Sequence, residues 1–177
     1  TMTDNFVAWR HAFLQQGIKI SVNDYFPNEG HNTKEIVKII GTKYNLGKSL
    51  YGKVVSDKEE YYMKHNKFRI YPGVKRLISF LRHNGIALGL VSGSSPERLN
   101  STLPKSLASS FSVIVHAALI KKNKPHPSPF LFCIKKLGIP RWQCIAVENA
   151  PLGIVSAHRA GLFCVAVCST LPPRALK

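Results

Sequence analysis

The chain has 177 residues, of which 45% are hydrophobic, so it can form one domain, or one domain with an insertion, around a real core. No apolar run approaches the roughly 20 residues that span a membrane, and no signal-peptide pattern opens the chain, so no membrane partner is expected. A net charge of +16 favours anionic partners such as phosphorylated metabolites or nucleic acid. The one dense basic cluster, residues 121–124, lacks interleaved aromatic residues, so a solvated basic surface is favoured over a nucleic-acid site.

The first part of the chain has the pattern of helices. Apolar residues recur at helical spacing over 4–16, 33–44 and 48–67, and Thr33 is a candidate N-cap for the second of these segments. These segments predict a helical module over residues 1–68.

The pattern changes after residue 69. Helices are predicted at 74–84, 96–103, 128–137 and 151–160, and short apolar strands at 86–91, 111–115, 144–147 and 163–167. Strands that alternate with helices predict βα units and a parallel sheet. The predicted fold is therefore α/β, a Rossmann-like doubly wound core over residues 69–177 with an N-terminal helical cap.

The four cysteines form no CxxC pair and lie in apolar surroundings. They predict buried, reduced thiols in a cytoplasmic protein, rather than a metal or redox site.

Three strand ends carry residues suited to binding a phosphoryl group, and ligands of open α/β sheets sit at this edge. The first is Ser92-Gly93-Ser94, where a hydroxyl and free backbone N–H groups could form an anion cradle. The alternative is a plain helix N-cap with a turn, which the local sequence alone favours.

The second strand end leads into Lys124-Pro125-His126-Pro127-Ser128-Pro129. Because each proline fixes φ and restricts the residue before it, we expect an extended, stiff backbone that aims the Lys124 ammonium group. A fixed ammonium group suits the charge of a phosphoryl group. His126 is interpreted as a solvated loop residue.

The third strand end is Glu148-Asn149, and Glu148 is the only acidic residue after Glu97. A carboxylate and an amide oxygen are hard ligands suited to Mg²⁺. The alternatives are that Glu148 pairs with a basic residue and that Asn149 caps the helix beginning near Pro151.

These segments, in this order, resemble motifs of the haloacid dehalogenase-like hydrolase superfamily, and most of all its β-phosphoglucomutase-like phosphatases. Val91-Ser92-Gly93-Ser94 resembles the second motif, the segment 124–130 the third, and Val147-Glu148-Asn149-Ala150-Pro151-Leu152-Gly153 the fourth. The resemblance implies that Ser92 and Lys124 bind the phosphoryl group and that Glu148 and Asn149 help to bind Mg²⁺. It also places Glu29-Gly30-His31 where caps commonly contact substrate, although a simple loop is an equal alternative.

The resemblance implies a Mg²⁺-dependent phosphatase acting on a small phosphorylated metabolite through an aspartyl-phosphate. The nucleophilic aspartate of the first motif, and the central strand carrying it between strands 86–91 and 144–147, would precede residue 1. We therefore expect this chain to be a fragment that alone is poorly folded and inactive. The alternatives are a phosphosugar mutase, which Asn5 disfavours because relatives often carry histidine there, and a non-catalytic basic binding module.

Overall fold

The N-terminal third of the protein is helical. The structure, a computed structural model, describes residues 2–176. Its first helices are α1 (Met2–Leu14), α2 (Val22–Tyr25), α3 (Thr33–Lys43) and α4 (Tyr51–His65). Their apolar faces form one cluster that includes Phe6, Trp9, Phe13, Ile36, Ile40 and Val54. The predicted helices of this part of the chain are confirmed, except that the predicted helix 48–67 begins as a 3₁₀ turn and α2 was not predicted.

The remainder alternates helices with short strands, as predicted. In chain order these are α5 (Val74–His83), β1 (Gly89–Val91), α6 (Pro96–Thr102), α7 (Lys105–Ala108), β2 (Val113–Val115), α8 (Ser128–Leu137), β3 (Ile145–Glu148), α9 (Pro151–Arg159) and β4 (Phe163–Ala166). The bounds of α8 match the prediction. β1, β2 and β4 lie inside their predicted segments and are shorter, and β3 is shifted by one residue. The division of the chain into a helical cap, residues 1–68, and an α/β core, residues 69–177, stays a prediction.

The strands form two parallel pairs. β1 pairs with β2, with Leu90 opposite Ile114, and β3 pairs with β4, with Val147 opposite Val165. Among the residues that the structure describes, no strand hydrogen-bonds to both β1 and β3. A central strand between β1 and β3 stays a prediction.

One face of the β3–β4 pair is packed and the other is open. Ala146 belongs to a core cluster formed with α8 and α9. Ile145, Val147 and Phe163 point to the opposite face and are 67%, 64% and 72% exposed. The apolar run 144–147 thus does not form a strand buried on both faces, because side chains of a strand alternate between faces and only one face is covered by described residues.

The thiols also differ from prediction. All four cysteines are free, but Cys168 is exposed, and Cys144 and Cys164 are only half-buried, so Cys133 alone matches the expected burial. Within residues 2–176, no helix has the length and apolar character needed to cross a membrane.

Candidate functional site

The β1–α6 turn holds the first candidate segment. The Ser92 backbone N–H donates to the Val115 carbonyl oxygen at 2.8 Å, which fixes the turn to the end of β2. The Ser92 hydroxyl accepts from the Ser94 backbone N–H at 3.1 Å. Ser95, not Ser92, caps α6, since its hydroxyl accepts from the Arg98 backbone N–H at 3.3 Å. A helix cap with a turn is therefore present in this segment, although the cap residue is Ser95, and the Ser94 N–H is engaged within the turn.

Lys124 is held in a fixed position, although not by an extended backbone. The Lys124–Pro125 peptide is cis, and Pro127 has helical dihedral angles as the residue before α8. The predicted extended segment is therefore wrong, because proline fixes φ but leaves ψ free to enter a turn. The Lys124 side chain is only 10% exposed, and its ammonium group contacts the Glu148 carboxylate and lies 3.4 Å from the Val91 carbonyl oxygen.

Glu148 folds back over the start of α9. Its Oε2 accepts from the backbone N–H groups of Asn149 at 2.7 Å and Ala150 at 3.1 Å, and its Oε1 contacts Lys124. A carboxylate is favourable here because the N-terminus of a helix carries unpaired N–H groups. Gly153 makes room for it, since a Cβ at residue 153 would lie 1.9 Å from Oε1. The pairing of Glu148 with a basic residue is confirmed, and that residue is Lys124.

Asn149 does not cap α9. The N-cap position belongs to Ala150, without a side-chain hydrogen bond, and the Asn149 amide donates to the Thr170 hydroxyl at 3.2 Å. The capping alternative for Asn149 is therefore wrong.

The loop Glu29-Gly30-His31 of the helical cap lies against the same edge of the core. Gly30 has φ +105°, and a Cβ there would be 3.0 Å from the Leu152 Cβ, so only glycine permits this approach. Glu29 is 1% exposed, and neither of its carboxyl oxygens has a hydrogen-bond partner among the described residues. Burial, and then the charge of Glu148, raise the pKa of Glu29 to about 7. Burial lowers the pKa of His31.

All of the predicted site residues line one cavity of about 230 Å³ between the helices of the cap and the strand ends. They are Glu29, Gly30, His31, Ser92, Gly93, Ser94, Lys124, Glu148 and Asn149. The tertiary structure therefore brings together segments that are up to about 120 positions apart in sequence.

Two cationic residues of this cavity were not predicted. The Lys58 side chain is 1% exposed, with its ammonium group 5.4 Å from the centre of the Trp9 ring and 2.7 Å from Glu59 Oε1. Burial, followed by the charge of Arg98, lowers the pKa of Lys58 to about 8. The Arg98 guanidinium group lies 3.7 Å from the centre of the Tyr62 ring.

A sequence signal exists for only one of them. Lys58 is flanked at four-residue spacing by the apolar-face residues Val54 and Tyr62, which places it on the buried side of α4. Nothing in the local sequence distinguishes Arg98 from a solvated arginine.

The donor chemistry of the cavity suits Mg²⁺ in part. Glu148 and Asn149 offer hard oxygen ligands, and Mg²⁺ typically uses one or two carboxylates together with water and substrate phosphate. Within residues 2–176, no group of three or more His, Cys, Asp or Glu side chains is placed to hold a metal ion. The described residues therefore fit a magnesium site to which they supply only part of the coordination.

Similar proteins include phosphatases and mutases. The chain is 26% identical over 175 residues to Protein SUPPRESSOR OF QUENCHING 1, chloroplastic, of Arabidopsis thaliana, covering 94% of this chain and 16% of that protein. It is 29% identical over 99 residues to Hexitol phosphatase B of Escherichia coli (strain K12), covering 55% of this chain and 45% of that protein. The chain thus spans less than half the length of these two relatives.

The fold is shared with a solved β-phosphoglucomutase from Clostridium difficile, with a TM-score of 0.81, 27% identity, and coverage of 93% of this chain and 77% of that one. The family model described as haloacid dehalogenase-like hydrolase matches residues 1–167. The chain therefore belongs to the haloacid dehalogenase-like hydrolase family.

Proposed function

We propose that the natural full-length polypeptide containing this chain is a Mg²⁺-dependent phosphatase that acts on a small phosphorylated metabolite. The observation that carries the proposal is the convergence of Ser92, Lys124 and Glu148, from the end of β1, the turn before α8 and the end of β3, on one cavity. Membership of the family, and relatives that are named phosphatases, support the reaction class. A solvated basic surface remains our interpretation of the net charge, and the small phosphorylated substrate, rather than nucleic acid, is the proposed anionic partner.

The roles of the residues follow from their chemistry. The Ser92 hydroxyl and the Gly93 backbone N–H would orient the phosphoryl oxygens, while the Lys124 ammonium group would stabilise their charge. Glu148 and Asn149 would hold Mg²⁺, which would supply further positive charge beside the phosphoryl group. Lys124 already neutralises Glu148, so its ammonium group would be shared between the carboxylate and the substrate.

The covalent step requires an aspartate, and none of the described residues that line the cavity is an aspartate. An aspartate carboxylate would attack phosphorus as the ester P–O bond breaks, and water would then release phosphate from the aspartyl-phosphate. Asp24 is instead paired with Lys43, and Asp57 with Lys53 at 3.2 Å. We therefore assign the nucleophile to an aspartate outside these residues and expect residues 1–177 expressed alone to be inactive.

A phosphosugar mutase is the second candidate, because β-phosphoglucomutase is among the similar structures. Asn5 disfavours it, because an amide cannot act as a general base and its oxygen contacts the Arg98 guanidinium group. A non-catalytic basic module is the third candidate. Four free cysteines favour a reducing, cytoplasmic location.

The test is a screen of the full-length polypeptide against phosphorylated metabolites, with and without Mg²⁺. Release of inorganic phosphate that needs Mg²⁺ and is lost in Ser92→Ala supports the phosphatase. Interconversion of phosphosugars without net phosphate release supports the mutase. Failure to turn over any phosphate ester refutes both and leaves the binding module.

A further inference from the structure

A second cavity lies between α1 and α4, and we call it the α1–α4 groove. Its volume is about 570 Å³, which is within the usual size range of small-molecule sites. The residues that line it include His11, Gln15, Glu60, Tyr61, Lys64 and His65. None of its described lining residues also lines the cavity of Ser92 and Lys124. The proposed phosphatase reaction therefore leaves this groove without a role.

Three rings form a stacked column in the groove. The ring of His11 lies on that of Tyr61, with centres 4.2 Å apart and planes inclined by 24°. The ring of His65, one turn further along α4, lies on Tyr61 with the same separation and an inclination of 22°. His11 and Tyr61 are half-buried, whereas His65 is exposed. A planar ring of a ligand can therefore extend the column at His65, because offset stacked rings attract each other and lose contact with water.

The polar groups around the column can bind the edge of such a ring. The Nδ1 atom of His65 lies 3.0 Å from the Tyr61 carbonyl oxygen, which only accepts, so Nδ1 carries the proton and Nε2 of the neutral imidazole is an acceptor. The Gln15 amide offers both a donor and an acceptor, and the Glu60 carboxylate offers acceptors. A nucleobase has a flat face for stacking and an edge that carries donors and acceptors, so it matches both features of the groove.

The charges of the groove favour a mononucleotide over a strand of nucleic acid. Lys53 is already paired with Asp57 at 3.2 Å, whereas Lys64 is exposed and forms no ion pair within residues 2–176. One available ammonium group, beside the Glu60 carboxylate, matches a single phosphate group, while a polynucleotide needs a row of unpaired cations. We propose that the α1–α4 groove binds a nucleoside monophosphate, with the base stacked on His65 and the phosphate paired with Lys64.

The test measures binding of AMP, adenosine and ribose 5-phosphate by isothermal titration calorimetry. It uses the natural full-length polypeptide with Lys124→Met/Glu148→Gln, which removes the ammonium group of the proposed catalytic site. We expect AMP to bind, and Tyr61→Leu to weaken it about tenfold because the column is lost, whereas Tyr61→Phe keeps the ring and the affinity. Tyr71→Leu, at a tyrosine that is 61% exposed and lines neither cavity, is the matched control. Lys64→Met should weaken AMP about fivefold and leave adenosine unchanged.

Several results would overturn the inference. They are the absence of AMP binding, equal affinity for AMP and ribose 5-phosphate, and an AMP affinity that Tyr61→Leu or Lys64→Met leaves unchanged. A second measurement needs no change in the groove: stacking of the base should shift the NMR signals of the carbon-bound protons of the His65 ring when AMP is added. Signals of His65 that stay in place at saturating AMP would also overturn it. Each of these results leaves the proposed phosphatase function untouched, because the groove and the catalytic cavity share no described lining residue.

Discussion

The ammonium group of Lys124 lies against the carboxylate of Glu148, and both side chains are about nine-tenths buried. Lys124 belongs to the turn before α8, and Glu148 is the last residue of β3. The same ammonium group lies 3.4 Å from the Val91 carbonyl oxygen at the end of β1. One lysine therefore links the ends of two strands that do not hydrogen-bond to each other.

Lys124→Met should destabilise the protein by about 3 kcal/mol, because Glu148 is left buried without its counter-charge. The double variant Lys124→Met/Glu148→Gln should recover most of this loss. Both variants should lose about a hundredfold or more in phosphatase rate, since the phosphoryl charge is no longer stabilised. Urea denaturation and steady-state kinetics of the full-length polypeptide check these effects. Lys122→Met, an exposed lysine two positions earlier, is the control and should change neither quantity.

Gly153→Ala should displace Glu148. A Cβ at residue 153 would lie 1.9 Å from Glu148 Oε1 and 2.2 Å from its Cδ, so the carboxyl or the helix must move. We expect a loss of about 2 kcal/mol in the free energy of unfolding, together with weaker binding of Mg²⁺. Gly52→Ala is the matched control: a Cβ there meets nothing within 4 Å, and it should stabilise α4 by about 0.5 kcal/mol. Equal stability of the two variants would contradict the close packing at Gly153.

The buried carboxyl of Glu29 should make the free energy of unfolding depend on pH. Its pKa is raised from 4.5 to about 7 in the folded protein, so the folded state favours the protonated form. The contribution of protonated Glu29 to the free energy of unfolding is fully present below the unfolded pKa. It is lost as pH rises through about 7, and for this rise in pKa the free energy of unfolding decreases by about 3 kcal/mol.

Glu29→Gln does not titrate and should not show this decrease. Urea denaturation of the wild-type protein and of Glu29→Gln at pH 5 and pH 8 measures the contribution of Glu29 as the difference between their pH dependences. Parallel pH dependence in the two proteins would show that Glu29 has a partner in the folded state.

The four thiols should react at different rates with Ellman's reagent. Cys168 is exposed and should react first, whereas Cys133 is buried and burial raises its pKa to about 11, so little thiolate is available. Cys168→Ser should abolish the fastest phase of labelling. If that phase survives in the variant, the exposure of Cys168 is contradicted.

The helices were the most predictable part of the fold. Thr33–Lys43 and Ser128–Leu137 match their predicted segments within one residue, because apolar spacing, caps and glycine stops are local signals. Even so, Asn32 rather than Thr33 caps α3, accepting from the Glu35 backbone N–H at 3.0 Å. The short helix at Val22–Tyr25 was not predicted, since four residues show no periodicity.

The burial of the strands was less predictable. An apolar run such as residues 144–147 indicates a strand but does not say what covers each face. In the structure Ala146 is buried, whereas Ile145 and Val147 are exposed. Burial depends on the packing of α8 and α9 from elsewhere in the chain, which is a nonlocal property.

The sequence by itself determined that Ser92, Lys124 and Glu148 follow apolar strands, and parallel strands present such residues at one edge of a sheet. It also indicated the family through the order and composition of these motifs. Only the tertiary structure decided that Lys124 pairs with Glu148, that Asn149 contacts Thr170 instead of capping α9, and that Glu29 is buried without a hydrogen-bond partner among residues 2–176. Contacts across 21 positions or more depend on how helices and strands pack, and local sequence patterns do not specify that packing.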